Sequence, residues 1–449
     1  MSHLASMWRL NMYMRYTLLL TCLLIVVQTS QAQVKVETVV GTDIKNFWRA
    51  YDKITATKDS NLQYTYLNEL FIDKGTPGLK AMMQVRDYTP KQYIDAINRY
   101  PLFWKSVRKN TLKADGFAAD IAIGISKLKK LYPQLKPAPV YFTVGVFRSG
   151  GTVSEGKVLI GSEISMADER TVTNEFPDEF KNLHSFFKTN PIKTLVFTNV
   201  HEYVHTQQKS TEVNTLLGQS VMEGAAEFMA VKSTGEHSPT FAKFINSIDN
   251  HRLKQVFAQQ LLNNGYGYWL YSNQSNEFNQ RDLGYYVGYL ICEQYYQRAS
   301  NKQQAIKQII ELDYNNEADL FAFVDQSKYF DQKASVLKTR YEASRPSVTN
   351  IKTFINGANN VDPSTTTVVI EFSDKMNKHS RNFEAGPLGI DHVMMVKKFL
   401  GFSEDGKQIT IEVDLKPGRR YQLLLGSRFM NENGISIKPY LIDFTTAAQ

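Results

Sequence analysis

His201-Glu202-Tyr203-Val204-His205 sets two imidazoles four residues apart, with a carboxylate directly after the first. On a helix, positions i and i+4 share a face, so one metal ion can take a nitrogen from each histidine. Glu202 leaves from the adjoining face, where a general base toward a metal-activated water would stand. A catalytic zinc needs a third protein ligand and an open position. A third histidine six residues beyond His205 would meet that need, but Thr211 stands there. The alternative is a glutamate on the following helix. Ser220-Val221-Met222-Glu223-Gly224-Ala225-Ala226-Glu227-Phe228 carries two acids at i and i+4, with small residues between them that suit close helix packing. Seventeen residues separate His205 from Glu223, enough for a helix end, a turn and a returning helix. Glu223 is read as the third ligand. Glu227 is read as the carboxylate that orients a ligand histidine through its other ring nitrogen. The swapped assignment stays open.

With this set, one Zn2+ per chain would activate water and polarise a carbonyl, while Glu202 carries a proton to the leaving amine. An oxyanion needs a donor besides the metal. Arg281-Asp282-Leu283-Gly284-Tyr285-Tyr286-Val287-Gly288-Tyr289 is the best region for it, and Tyr285 is taken as the catalytic donor. Tyr289 shares its helical face, His237 and His251 are weaker alternatives, and aromatic core packing competes for each tyrosine.

The elements that must position these groups follow from periodicity. From about Val34 to Leu135 apolar residues recur at helical spacing, ending at Pro133, Pro137 and Pro139. Val140-Tyr141-Phe142-Thr143-Val144-Gly145-Val146-Phe147 and Lys157-Val158-Leu159-Ile160-Gly161 read as a hairpin or strand pair, with Ser149-Gly150-Gly151-Thr152 as a turn. Either strand could offer the edge along which an extended peptide adds. Pro191 is expected to open the motif helix with Asn190 as N-cap, and a second helix to run from about Glu212 to Lys232. After Arg345-Pro346, β-branched alternation takes over in Thr366–Phe372, Gln408–Val413 and Tyr421–Leu425.

At the N-terminus, Arg9 and Arg15 precede the apolar run Leu18–Val27, and Ser30-Gln31-Ala32 offers a small-residue cleavage site. Residues 1–32 are therefore expected to be a secretory signal peptide rather than a membrane span. Cys22 and Cys292 are the two cysteines, so the mature chain would keep one thiol and no disulfide. The formal charge of +8 is spread over 449 residues without a dense Lys/Arg tract, which argues against nucleic acid as a partner. No stretch after the leader is long and apolar enough to span a bilayer.

Ser149-Gly150-Gly151-Thr152, His201-Glu202-x-x-His205, Glu223-Gly224-x-Ala226-Glu227 and Gly284-Tyr285-Tyr286-x-Gly288-Tyr289 together resemble a group of predicted zinc-dependent proteases, bacterial, gluzincin-like and often exported. The resemblance covers roughly residues 140–300. It implies a metallopeptidase site at the matching positions and supplies no substrate beyond a peptide or protein. The segment from Val348, with Asn359-Asn360-Val361-Asp362-Pro363 and the closing Ile442-Asp443-Phe444-Thr445-Thr446, resembles bacterial Ig-like domains of envelope proteins. The expected fold is α+β: a mainly helical, zincin-like metallopeptidase domain with a small sheet over 33–343, then an Ig-like β-sandwich over 345–449 that binds an envelope partner. The expected location is the periplasm, cell surface or exterior of a bacterium. The competing reading is a non-catalytic binding or assembly protein on the same scaffold. A hydrolase of non-peptide amides also fits the ligand types.

Overall fold

Pro77, Pro90 and Pro101 each take a first helical position, where a missing N–H costs no hydrogen bond. Thr76 and Thr89 cap two of these helices with their hydroxyls, and Gln92 completes a reciprocal capping box with Thr89. The computed structural model describes residues 39–210, 212, 215–271 and 276–448. The expected leader, 1–32, lies outside the described residues. Helices α1 (Thr42–Thr55), α2 (Ser60–Leu67), α3 (Pro77–Val85), α4 (Pro90–Arg99), α5 (Pro101–Thr111) and α6 (Ala118–Leu131) fill the region that helical spacing marked out. Phe47, Tyr93, Phe103 and Trp104 from these helices meet Phe71, from the turn Asn68–Ile72, in a buried aromatic core.

A four-stranded sheet follows, in the order β1 (Val39–Val40), β2 (Val140–Thr143), β4 (Lys157–Gly161), β3 (Gly151–Ser154). Here the strand expectation needs correction. β2 and β4 do pair, but in parallel, so they form no hairpin. The hairpin is β3–β4, joined at Glu155 and Gly156, both at positive φ as a tight two-residue turn requires. The edge on the β4 side is therefore β3, which takes up Gly151 and Thr152 from the segment expected to be a turn. Ser149-Gly150-Gly151-Thr152 reads as a turn by composition, yet its glycines serve close packing, Gly150 against Ser165 and Gly151 against Glu202. β2 ends where Gly145 N–H and Phe147 N–H donate to the buried carboxylate of Glu163 instead of to a strand, at 2.9 and 3.3 Å.

Past the short helices α7 (Ser162–Ser165) and α8 (Lys181–Phe187), Pro191–Thr194 forms a 3-10 turn before α9 (Leu195–His205). The helix thus starts four residues later than Pro191. Asn190 sits in the left-handed region at φ 56°, and its amide donates to Glu169 at 2.8 Å rather than capping the helix. α10 (Leu216–Thr234) is capped by Thr215 and closed by Gly235 at φ 79°. The helical sequence continues with α11 (Asn250–Gln260), α12 (Leu283–Arg298), α13 (Lys302–Glu311), α14 (Glu317–Ser327) and α15 (Ala334–Ser344).

From Val348 the chain is antiparallel strand. One sheet runs β5 (Val348–Ile351), β6 (Thr367–Phe372), β9 (Gln408–Val413), β8 (Val396–Phe402), and another β11 (Tyr440–Thr445), β10 (Arg420–Leu425), β7 (Phe383–Glu384). Val368, Ile370, Ile411, Leu423, Ile442 and Phe444 join in one apolar cluster fed by both sheets. A larger cluster gathers the helices and the first sheet, with Ile435 added from the later strands. Mixed α+β is thus the fold class. Among the described residues, no helix is long and apolar enough to cross a membrane.

Candidate metal centre

α9 is anchored by the inner residues of its own motif: Val204 is fully buried, and the Tyr203 hydroxyl accepts from Ala138 N–H at 2.7 Å. With the helix so fixed, His201 and His205 turn to one side. Their Nε2 atoms lie 3.0 Å apart. Glu223 Oε2, from the antiparallel neighbour α10, lies 3.3 Å from His201 Nε2 and 3.2 Å from His205 Nε2. Four ligands around zinc at about 2.0–2.1 Å would be separated by about 3.3 Å. The triangle matches that spacing, and Glu223 Oε2 is buried without a hydrogen-bond donor of proper geometry. Nitrogen and carboxylate donors of this kind suit zinc.

The groups behind the triangle set its orientation. His205 Nδ1 faces Gln208 Oε1 at 2.6 Å, and the Gln208 amide donates to Met222 O at 2.9 Å. Because the amide nitrogen is committed to Met222, its oxygen must accept, so His205 holds a proton on Nδ1, and its neutral form leaves Nε2 bare for a metal. Glu227 Oε1 stands 3.7 Å from His201 Nδ1 and takes a hydrogen bond from Thr240 Oγ1 at 2.8 Å. It therefore acts on His201 by charge more than by a direct hydrogen bond. Glu227 lies outside the triangle and Glu223 inside it.

Burial works against charge on both histidines, yet the surrounding carboxylates outweigh it. His205 is held up at about 9, chiefly by Glu223, and His201 is also raised. Burial works against ionisation of Glu223 too, but the two imidazoles hold it well below the usual carboxylate range. Burial pushes Glu202 up, with His205, His201 and Arg86 pulling back. The centre of the triangle is thus a place where positive charge is favoured.

α10 and α12 cross so closely that only glycine fits. A Cβ on Gly224 would lie 2.0 Å from Gly288 C, and one on Gly288 would lie 1.7 Å from Ser220 O. This crossing brings Tyr285, on α12, over the site, its ring stacked on His201 at 6.0 Å between centroids. Tyr285 lines both clefts beside the His201–His205–Glu223 triangle. Tyr289 does not: its hydroxyl donates to Glu293 at 2.9 Å and its ring packs on Phe241 at 4.9 Å. His237 and His251 are exposed and line neither cleft. The tyrosine missed by sequence reasoning is Tyr271. Its hydroxyl donates to Glu223 Oε1 at 2.5 Å, the oxygen pointing away from the triangle. Its backbone is left-handed, φ 61°, and its N–H is tied to Asp282 Oδ1 at 3.2 Å. A loop tyrosine distant in sequence carries no periodic signal that could have marked it.

β3 passes directly over Glu202. A Cβ on Gly151 would sit 2.6 Å from Glu202 Oε1 and 2.9 Å from its Cγ. The missing side chain lets the edge strand and the carboxylate share the same floor. Two openings flank the triangle. One, about 480 Å³, runs along Gly151–Gly156 past Arg86, Met222 and Tyr271. The other, about 430 Å³, runs past Phe186, Phe197, Thr240 and Arg281. Gly151, His201, Glu202 and Tyr285 are common to both.

Residues 181–316 match a family model described as "Predicted Zn-dependent protease (DUF2268)". The chain is similar to that family there. The matched stretch contains His201, Glu202, His205, Glu223, Tyr271 and Tyr285, and ends short of β3 on the upstream side. No curated protein matches the chain. Over 92% of its length it is similar to the crystal structure of the S-layer protein rSbsC(31-844), at 12% identity and a TM-score of 0.18, covering 46% of that chain. The N-terminal part of the bacterial S-layer protein SbsC is similar over 92% of this chain and 79% of that one, at 14% identity and a TM-score of 0.19. The chain thus spans about half the length of the first of these structures.

Proposed function

We propose that this protein is a zinc-dependent metallopeptidase that hydrolyses peptide bonds, with His201, His205 and Glu223 as ligands. The observation that carries the reading is the closed triangle of two imidazole nitrogens and one carboxylate oxygen, all within 3.3 Å of one another, beside Glu202. When bound there, zinc supplies Lewis-acid polarisation of a carbonyl and lowers the pKa of water toward neutrality. The rest is done by the chain. Glu202 accepts a proton from the attacking water at its carboxylate and hands it to the leaving amine nitrogen; its pKa, raised by burial, suits both steps. Tyr285 Oη donates to the developing oxyanion, with its ring steadied on His201. Tyr271 and Gln208 fix the far sides of Glu223 and His205, so that the triangle is preorganised. The free edge of β3 offers backbone groups to an extended substrate that lies across the cleft.

In the same reading the chain is exported through residues 1–32. Residues 33–343 form a zincin-like catalytic unit, and 345–449 an Ig-like sandwich that holds the enzyme to an envelope partner. Metal analysis and peptide hydrolysis test the catalytic part. Wild type and Glu202→Gln should each carry about one zinc per chain, His205→Ala should carry little, and Glu202→Gln should lose hydrolysis by about 10²–10⁴-fold. Wild-type protein that takes up no zinc on reconstitution would refute the proposal.

A further inference from the structure

Arg86 closes α3 and reaches the cleft from a part of the chain far from the metal ligands. Its position is fixed through the backbone: its carbonyl accepts from the Arg148 guanidinium, which also donates to Asp87 O at 3.1 Å. Its Nε is buried and has no hydrogen-bond partner. The other charged groups along this opening are engaged, apart from Glu202, whose carboxylate Arg86 influences through charge without forming an ion pair. Lys209 pairs with Asp313 at 2.9 Å, Glu155 with Lys157 at 2.7 Å, and Glu223 with the two histidines and Tyr271. Arg86 has no ion pair of this kind among the described residues. A buried guanidinium N–H without an acceptor is costly, so such a group points to an acceptor that arrives with a ligand. The planar fork of arginine fits a carboxylate through two parallel hydrogen bonds.

The opening that holds Arg86 is walled by Gly151, Thr152, Val153 and Ser154, the whole of the edge strand β3. A peptide paired to that edge presents alternate side chains to the cleft, so few of its positions can face Arg86. We infer that Arg86 selects a carboxylate on the bound peptide, close to the scissile bond, making acidic peptides the preferred substrates. The inference rests on the peptidase reading for its position relative to cleavage, but the binding preference does not depend on turnover.

The test uses zinc-loaded full-length protein and N-acetylated peptides that differ only in Asp against Asn at one position. Each is made as C-terminal acid and C-terminal amide, to separate a side-chain carboxylate from the chain end. Cleavage is followed by mass spectrometry, and equilibrium binding is measured on a Glu202→Gln background so that the ligand survives. The expected result is a preference of roughly 10- to 100-fold for the carboxylate member at one position, as a charged hydrogen-bonded contact gives. Arg86→Gln should abolish the ratio and Arg86→Lys should reduce it. Arg86→Glu should turn it toward peptides with a basic residue at that position, which a loss of folding cannot do. The same preference in wild type and Arg86→Gln, or none in wild type, overturns the inference. A binding preference that depends on Arg86, with no peptide cleaved by wild type, upholds the inference and refutes the peptidase.

Discussion

Replacing Gly151 by alanine tests whether β3 positions the base. The added Cβ would stand 2.6 Å from Glu202 Oε1 and 2.9 Å from Cγ, where ordinary contact begins at 3.4 Å. The shortfall is about 0.8 Å at the oxygen and about 0.5 Å at Cγ. The oxygen alone could swing aside, but Cγ is near the root of the side chain, so the whole carboxylate must tilt or the strand must lift. A displacement of about 1 Å in a catalytic group costs on the order of 10²-fold. Gly151→Ala should therefore lower kcat/KM by about 100-fold, near 2.7 kcal/mol of transition-state stabilisation. Zinc content should stay at about one per chain, because no ligand touches Gly151 in the same way. The neighbouring Gly150→Ala is the control. Its Cβ would meet the hydroxyl of Ser165 at 2.9 Å, the movable end of a short side chain, and it should cost less than about tenfold. Steady-state kinetics with parallel metal analysis and thermal melts read all three quantities. Wild-type kcat/KM in Gly151→Ala, with the fold intact, would refute the idea that the edge strand holds Glu202 in place.

Gly288→Ala drives a Cβ to within 1.7 Å of a helix carbonyl that cannot turn away, and should cost about 3 kcal/mol or more of stability in urea unfolding. An unchanged midpoint would mean that the α10–α12 crossing is looser than these distances require. Gln208→Ala removes the acceptor on His205 Nδ1 and should weaken zinc about 10–100-fold in chelator competition, whereas equal affinity would show that the tautomer is set elsewhere. Glu163 is fully buried and its pKa is raised by burial to about 7. The folded chain therefore holds this proton more tightly than the unfolded chain does. Its contribution to stability is present in full below about pH 4.5 and is lost, by about 3 kcal/mol, as pH rises toward 7. Glu163→Gln should flatten that slope in denaturation curves taken across the window; an unaltered slope would assign it to other groups.

The grouping of His201, His205 and Glu223 was legible because its spacing is short range: two histidines on one helical turn and a glutamate on the next helix leave few arrangements. Tyr285 was legible as a region rather than as a role. Only the glycine crossing decides that it, and not Tyr289, faces the metal side, and glycine as a packing surface leaves no apolar period to read. The strand error at Ser149-Gly150-Gly151-Thr152 has the same root. Two glycines in a row look like a turn until the groups that need their space, Ser165 beside Gly150 and Glu202 beside Gly151, are known. Asn190 and Pro191 read as a cap and a first turn, but Asn190 is spent on Glu169 and the helix starts later. Tyr271 and Arg86 reach the site from a loop and from the end of a distant helix, where local pattern says nothing about destination.

The cleft is assembled from two stretches of chain. His201, Glu202, His205, Glu223, Tyr271 and Tyr285 all lie after residue 195, within the stretch that matches the protease family model. The edge strand and the unpaired arginine lie before residue 157, outside it. On the proposed reading, exchanging Arg86 changes what is grasped while the later stretch stays as it is, whereas Gly151 ties the two stretches together through Glu202. A chimaera that keeps the later segment and borrows the earlier one from a relative should inherit the donor's taste and the host's reaction.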